Sequence, residues 1–153
     1  MADRITRQLA PALHWANAVF FLGMLVAGDP GTAAALGGLF AVTAAGLVAH
    51  AAVRGPLAVP GPRSKESPPA RLAHLALHRG LLAALVAVVV TGLPAGLAGA
   101  GVAGGFAWAG GLAPWHDTAI NALLVLAGGH VVFNLWREAA LGEPAFRRVT
   151  GGG

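Results

Sequence analysis

Apolar residues fall into four long runs, and the polar positions between them mark where the chain turns. The runs are Leu9–Gly28, Thr32–Val53, Leu72–Ala98 and Trp115–Trp136. Each is close to the ~20 residues that a helix needs to cross the hydrocarbon of a bilayer. Only GDPG, Gly28–Gly31, separates the first two runs, so they are expected to pack antiparallel. The second connection reads RGPLAVPGPRSKESPPA, Arg54–Ala70, whose Pro, Gly and Ser content marks an irregular loop. The third, Gly99–Pro114, is Gly-rich and nearly uncharged. It is expected to lie along the membrane surface with Trp108 and Trp115 at headgroup level. The pattern predicts an all-α, integral membrane four-helix bundle, with residues 1–153 as a single domain and no internal repeat.

Composition agrees. The chain has a mean hydropathy of +0.69, is 56% apolar and only 10% charged, where a water-soluble domain carries about 25% charged residues. A pI near 11.5 invites a nucleic-acid reading, but the net charge is only +4, and the basic residues sit where a membrane protein puts them. All ten lie in the N-terminal lead, the middle loop, the C-terminal tail or the adjoining helix ends. None lies in Gly28–Gly31 or Gly99–Pro114. The positive-inside rule then places both termini in the cytoplasm. Arg4 and Arg7 before an apolar run also fit a secretory leader. However, the run is long for one and contains His14, Trp15 and Asn17, so a span is expected. Absence of cysteine excludes disulfides, iron–sulfur ligation and covalent haem attachment.

Histidine carries the candidate chemistry. There are six: His14, His50, His74, His78, His116 and His130. His116 and His130 are fourteen residues apart in WHDTAINALLVLAGGH. On a helix that is roughly 21 Å, with both rings on nearly one face. Ala119, Leu123 and Ala127 lie between them, so two flat macrocycles could be held at two depths. His14 and His130 lie about 7 Å and 10 Å inside the same end of the bundle, a depth at which two imidazoles can clamp one iron. His78 lies at a comparable depth if its helix begins at Leu72, and at the interface if it begins near Arg79. Arg7, Arg71 and Arg137 each stand seven residues from His14, His78 and His130 respectively, toward the basic end. Guanidinium groups there suit the carboxylates of a haem, although arginines at helix ends also simply snorkel.

Three stretches carry a family likeness: LHWANAVFFLGMLVAG, RLAHLALHRGLLAALVAVVVTG and WHDTAINALLVLAGGH. Together they resemble the bacterial cytochrome b561 family and the related b-type cytochrome subunits of nickel–iron hydrogenases and formate dehydrogenases. The resemblance implies four helices holding two b-type haems in the bacterial cytoplasmic (inner) membrane, with electrons exchanged with quinone. It implies His14 and His130 as ligands of the inner haem iron, His116 as a ligand of the outer one, and His78 near the quinone and inner-haem region. The family's second outer ligand, at the start of the second span, is missing: Thr32–Phe40 reads TAAALGGLF. His50 is too far away, and Met24 is a conceivable sulfur substitute. One haem b is therefore expected and a second is open.

Other polar positions have plainer readings. His50 is expected at a helix end, His74 at the interface, and His116, without a partner, in a hydrogen bond beside Trp115. Asn17 and Asn121 can hydrogen-bond across the bundle. Gly92 and Gly96 form a packing notch, and Gly128 and Gly129 leave room beside His130. The six acids lie at termini, loops or helix ends, and no phosphate loop, HExxH or carboxylate pair appears. The expectation is an electron-transfer cytochrome b subunit rather than a self-standing enzyme. Its partners would be membrane lipid, quinone and either other subunits of a redox complex or further copies of itself, with no nucleic acid. The alternative is a non-redox accessory or assembly subunit of a larger respiratory or photosynthetic membrane complex that has lost one or both haems; within a photosynthetic complex, a single histidine could instead ligate a chlorophyll-type magnesium. A small transporter fits least, for want of broken-helix repeats.

Overall fold

Proline sets the start of three of the four helices in the computed structural model, which describes residues 2–54, 65–99 and 107–142, with side chains for 9–54, 65–94 and 110–142. Helix α1 is Ala2–Val26, α2 Pro30–Arg54, α3 Pro68–Gly99 and α4 Ala113–Leu141. Proline lacks the N–H that a first turn leaves unpaired, and its fixed φ suits that turn. At α2, Asp29 Oδ1 accepts the Thr32 N–H at 2.8 Å and Asp29 O accepts the Ala33 N–H at 3.1 Å. At α3, Ser67 O accepts the Arg71 N–H at 2.9 Å, after Pro68 and Pro69. Helix α4 has Pro114 in its first turn and ends at Gly142, whose φ of 64° lets its N–H reach Arg137 O.

Two expected boundaries change. Helix α3 begins at Pro68, a full turn before Leu72, so His74 and His78 lie well inside it. The Gly99–Pro114 connection contains a 3₁₀ segment, Ala107–Leu112, leading straight into α4. Trp115 is exposed, while the side chain of Trp108 lies outside the described residues.

All four helices are long and apolar enough to cross a membrane. They form two hairpins, α1 with α2 and α3 with α4, joined mainly where α2 meets α3; among the described residues, α1 and α4 are not closely packed along their backbones. The core is a band of Phe21, Phe40, Ala44, Leu47, Ala84, Leu85, Val88, Ala119 and Leu123. Small residues allow the close approaches. Leu13 packs on Gly46, Leu36 on Gly23 and the Met24 thioether on Gly37. Most of the large apolar side chains outside the core, such as Val19, Leu22, Val125 and Val132, are exposed, as a lipid-facing surface would be. Asn17 bridges the first hairpin: its Nδ2 donates to Phe40 O at 3.1 Å and to Thr43 Oγ1 at 3.0 Å. Asn121 is exposed and makes no such bridge.

Candidate haem site

Antiparallel packing gathers the basic residues and most of the histidines at one end of the bundle. Here the start of α1 and of α3 meet the end of α2 and of α4. Arg54, Lys65, Arg71, Arg79 and Arg137 belong to this end, and Asp29 lies at the other. His14 from α1, His74 and His78 from α3, and His130 from α4 form a line of rings across it. The His14 and His130 centroids are 6.2 Å apart with planes at 58°. His130 and His78 are 4.7 Å apart, edge to face. His78 and His74 are 4.5 Å apart, tilted at 36°. Trp15 packs edge-on against His14, and Phe133 against His74.

Neighbouring groups fix the hydrogen positions. His78 Nδ1 lies 2.9 Å from His74 O. A carbonyl only accepts, so Nδ1 carries the hydrogen and Nε2 the lone pair. Asn134 Oδ1 faces Arg137 Nη1 at 3.5 Å, which turns its amide nitrogen toward His130 Nε2 at 3.1 Å. His130 Nε2 is thus an acceptor, and its Nδ1 bears the hydrogen, buried without a partner. A deprotonated Nε2 is the form of imidazole that ligates a metal.

Glu66 anchors this end. It is 5% exposed, and its Oε1 accepts from His74 Nδ1 at 2.9 Å and is ion-paired with Arg137 Nε. Arg137 is itself 3% exposed and His74 1%. His74 is therefore closed off from the surface: the early start of α3 carries it under the loop end, where Glu66 meets it. Lys65 Nζ donates to Leu141 O at 3.4 Å, so both loop residues clasp the end of α4. The sequence reading missed Glu66. Its one local signal is the Glu66-Ser67-Pro68-Pro69 run that opens α3; its partner Arg137 is remote in sequence.

The expected site residues thus separate into groups. His14, His78 and His130 come together. Arg137 lies beside them but is engaged with Glu66, and Arg71 is exposed at the same end. The side chain of Arg7 lies outside the described residues. His50 is half-buried near the end of α2. His116 sits at the far end of the bundle, where its Nδ1 lies 3.0 Å from Thr91 Oγ1 and its ring edge occupies the space beside Gly92. That is the packing notch expected of Gly92. Gly128 has open space where a side chain would be, and Gly129 faces Leu77.

Chemically, the cluster offers several imidazole nitrogens at the contacts between α1, α3 and α4, next to the Glu66–Arg137 pair. Among the described residues, no group of three or more His, Cys, Asp or Glu is placed to hold a bare metal ion. A macrocycle brings its own four ligands and asks the protein for one or two. Two imidazoles that share an iron, each nitrogen about 2 Å from the metal, hold their ring centroids roughly 6 Å apart. The His14–His130 separation matches that requirement. In comparisons with known proteins, no family model, no curated protein and no solved structure matches this chain.

Proposed function

We propose that this protein is a multi-pass b-type cytochrome of the bacterial cytoplasmic membrane, similar to the cytochrome b561 family, that passes electrons between haem and quinone or a redox-partner subunit. The observation that carries this reading is the 6.2 Å approach of the His14 and His130 rings, from the first and last helices. The one-ended distribution of basic residues supports insertion with both termini in the cytoplasm.

On this reading His14 and His130 hold one haem, which when bound supplies single-electron chemistry. His130 would hold it through Nε2, the nitrogen that here accepts from the Asn134 amide. Both rings are half-buried, and Trp15 packs edge-on against His14. Glu66 and Arg137 hold α3 and α4 in register, so the α4 ligand is presented at a fixed height. Arg71, exposed at this end, is a guanidinium open to a haem carboxylate.

The test is a reduced-minus-oxidised absorption spectrum of the protein purified from haem-replete cells. A low-spin b-type band is expected, lost in both His14→Ala and His130→Ala and retained in Asn134→Ala. A colourless protein, or a band that survives both histidine substitutions, overturns the assignment. Colourless protein that co-purifies with a larger membrane complex would establish the accessory-subunit alternative.

A further inference from the structure

The outer face of α4 carries one amide that the bundle does not use. The helix turns its buried residues, Ala119, Leu123 and Arg137, to the inside, and His130 falls on the same side. At 3.6 residues per turn, Asn121 stands about 180° from His130. Asp117, Val125, Val132 and Leu135 lie within about 40° of Asn121 on the helical wheel, and all five are exposed. Among the described residues, none hydrogen-bonds the Asn121 side chain. Asn17 is the opposite case: it is buried, and its amide is engaged inside the first hairpin.

Two exposed tryptophans mark the depth of this amide. Trp115 and Trp136 are 68% and 44% exposed. They stand roughly 31 Å apart along the helix, about the thickness of the hydrocarbon, and indole rings favour its two boundaries. Asn121 lies roughly 9 Å inside the Trp115 boundary. An amide there has two N–H donors and a carbonyl acceptor to satisfy. Acyl chains offer no partner, and an unpaired amide in an apolar medium is costly. The side chain is also too short to reach the headgroups as lysine and arginine do.

We propose that this face of α4 is a contact between two copies of the chain, in which Asn121 pairs with the partner's Asn121 about a two-fold axis along the membrane normal. Every copy carries its basic residues at the same end, so all copies insert in one orientation. A two-fold axis then brings identical residues together at identical depth. Each amide donates where the other accepts, and two hydrogen bonds are exchanged. A partner of different sequence would have to bring its own polar group to this level, whereas a second copy brings it by symmetry. Val125 and Val132, 74% and 66% exposed, continue the contact toward the basic end. The proposal rests on the chain's crossing the membrane and not on haem, because the face lies behind the histidines.

The chain has no cysteine, so introduced cysteines test the contact directly. Full-length protein carrying Val125→Cys is reconstituted into phospholipid vesicles and oxidised. A disulfide-linked dimer is expected on a non-reducing gel. Val19→Cys, on the exposed side of α1, should stay monomeric. Adding Asn121→Leu to Val125→Cys should abolish the cross-link, and adding Asn121→Gln should keep it. Sedimentation in density-matched detergent should show a dimer for the parent chain, with a dissociation constant raised about tenfold by Asn121→Leu and an unchanged helical circular dichroism spectrum. A parent chain that sediments as a monomer overturns the proposal. So does a cross-link that survives Asn121→Leu undiminished, or one that forms in native membranes to a protein of different sequence. A colourless protein that cross-links as expected removes the haem reading and leaves this contact standing; a haem-loaded monomer does the reverse.

Discussion

The two ends of the bundle solve the same problem differently. Both seat imidazoles at contacts between helices, and both need neighbours that fix the hydrogens. At the basic end the neighbours are charged: Glu66 is tied to His74 and Arg137, and that network holds a line of four rings. At the far end they are neutral: one threonine hydroxyl and one missing side chain seat His116. A charged anchor can join elements distant in sequence, but it leaves a buried ion when broken. A neutral notch costs little to break, but it tolerates no added atom. The basic end should therefore be vulnerable to deletion of groups, and the far end to their addition.

The largest effect tests that contrast at Glu66. Glu66→Ala leaves the buried Arg137 without its carboxylate, and removal of one partner from a buried pair costs about 3–5 kcal/mol. Thermal unfolding in detergent should show a large loss. Glu66→Leu combined with Arg137→Met should recover part of it, because the buried pair is removed together, and the remainder is the His74 Nδ1 left without its acceptor. If Glu66→Ala melts like the parent, the charged anchor is not what holds this end together.

At the far end, Gly92→Ala is the sharper probe. One methyl group has to displace the His116 ring, at a cost of about 1–3 kcal/mol for an overpacked site. Gly128→Ala on the same helix pair meets open space, and should stabilise slightly, since alanine is the better helix former by about 0.5–1 kcal/mol. Opposite signs are expected from one chemical change. Equal effects in the melting curves would remove the notch as an explanation.

How much of this was legible in the chain follows from which interactions are local. The four helices were readable because length and apolarity alone specify a membrane-crossing run. Asn17 was recognisable as a cross-bundle donor because an amide amid apolar residues has to find a partner. The start of α3 was misplaced by a turn: Pro68 and Pro69 read as loop, yet proline is well suited to a first helical turn. That turn decides whether His74 is interfacial or buried. Glu66 was invisible for a related reason. A carboxylate in a Pro-rich loop looks solvated until the ends of α3 and α4 bring it against Arg137. His116 and Thr91 were both visible as residues, but their pairing depends on how α3 and α4 rotate about their axes, which the weakly amphipathic patterns of these helices do not specify.

The first hairpin offers a smaller effect, intermediate between the two ends. Asn17→Leu removes the donor to Phe40 O and Thr43 Oγ1, and a polar contact between helices of this kind contributes about 1 kcal/mol. Thr43 keeps its own bonds to Leu39 O and Phe40 O, so Thr43→Val should cost no more than Asn17→Leu. A double-mutant cycle on the two reads their coupling directly. Zero coupling would mean that the first hairpin is held by packing alone.

The smallest effect lies at Asp29, which shares the far end with one other exposed acid, Asp117. Asp29 caps α2, and its bonds from the Thr32 N–H and side chain hold its carboxyl below the ordinary value of 3.8. A carboxyl whose folded value is depressed stabilises fully above the unfolded value and loses that contribution as pH falls through the folded one. Protection of the Thr32 and Ala33 amides against hydrogen exchange should therefore weaken only below about pH 4. Asn caps nearly as well as Asp and does not titrate, so Asp29→Asn should keep protection at neutral pH and flatten the acid decline. Asp29→Ala should lower protection at every pH. An acid decline that persists in Asp29→Asn would place the titrating group elsewhere.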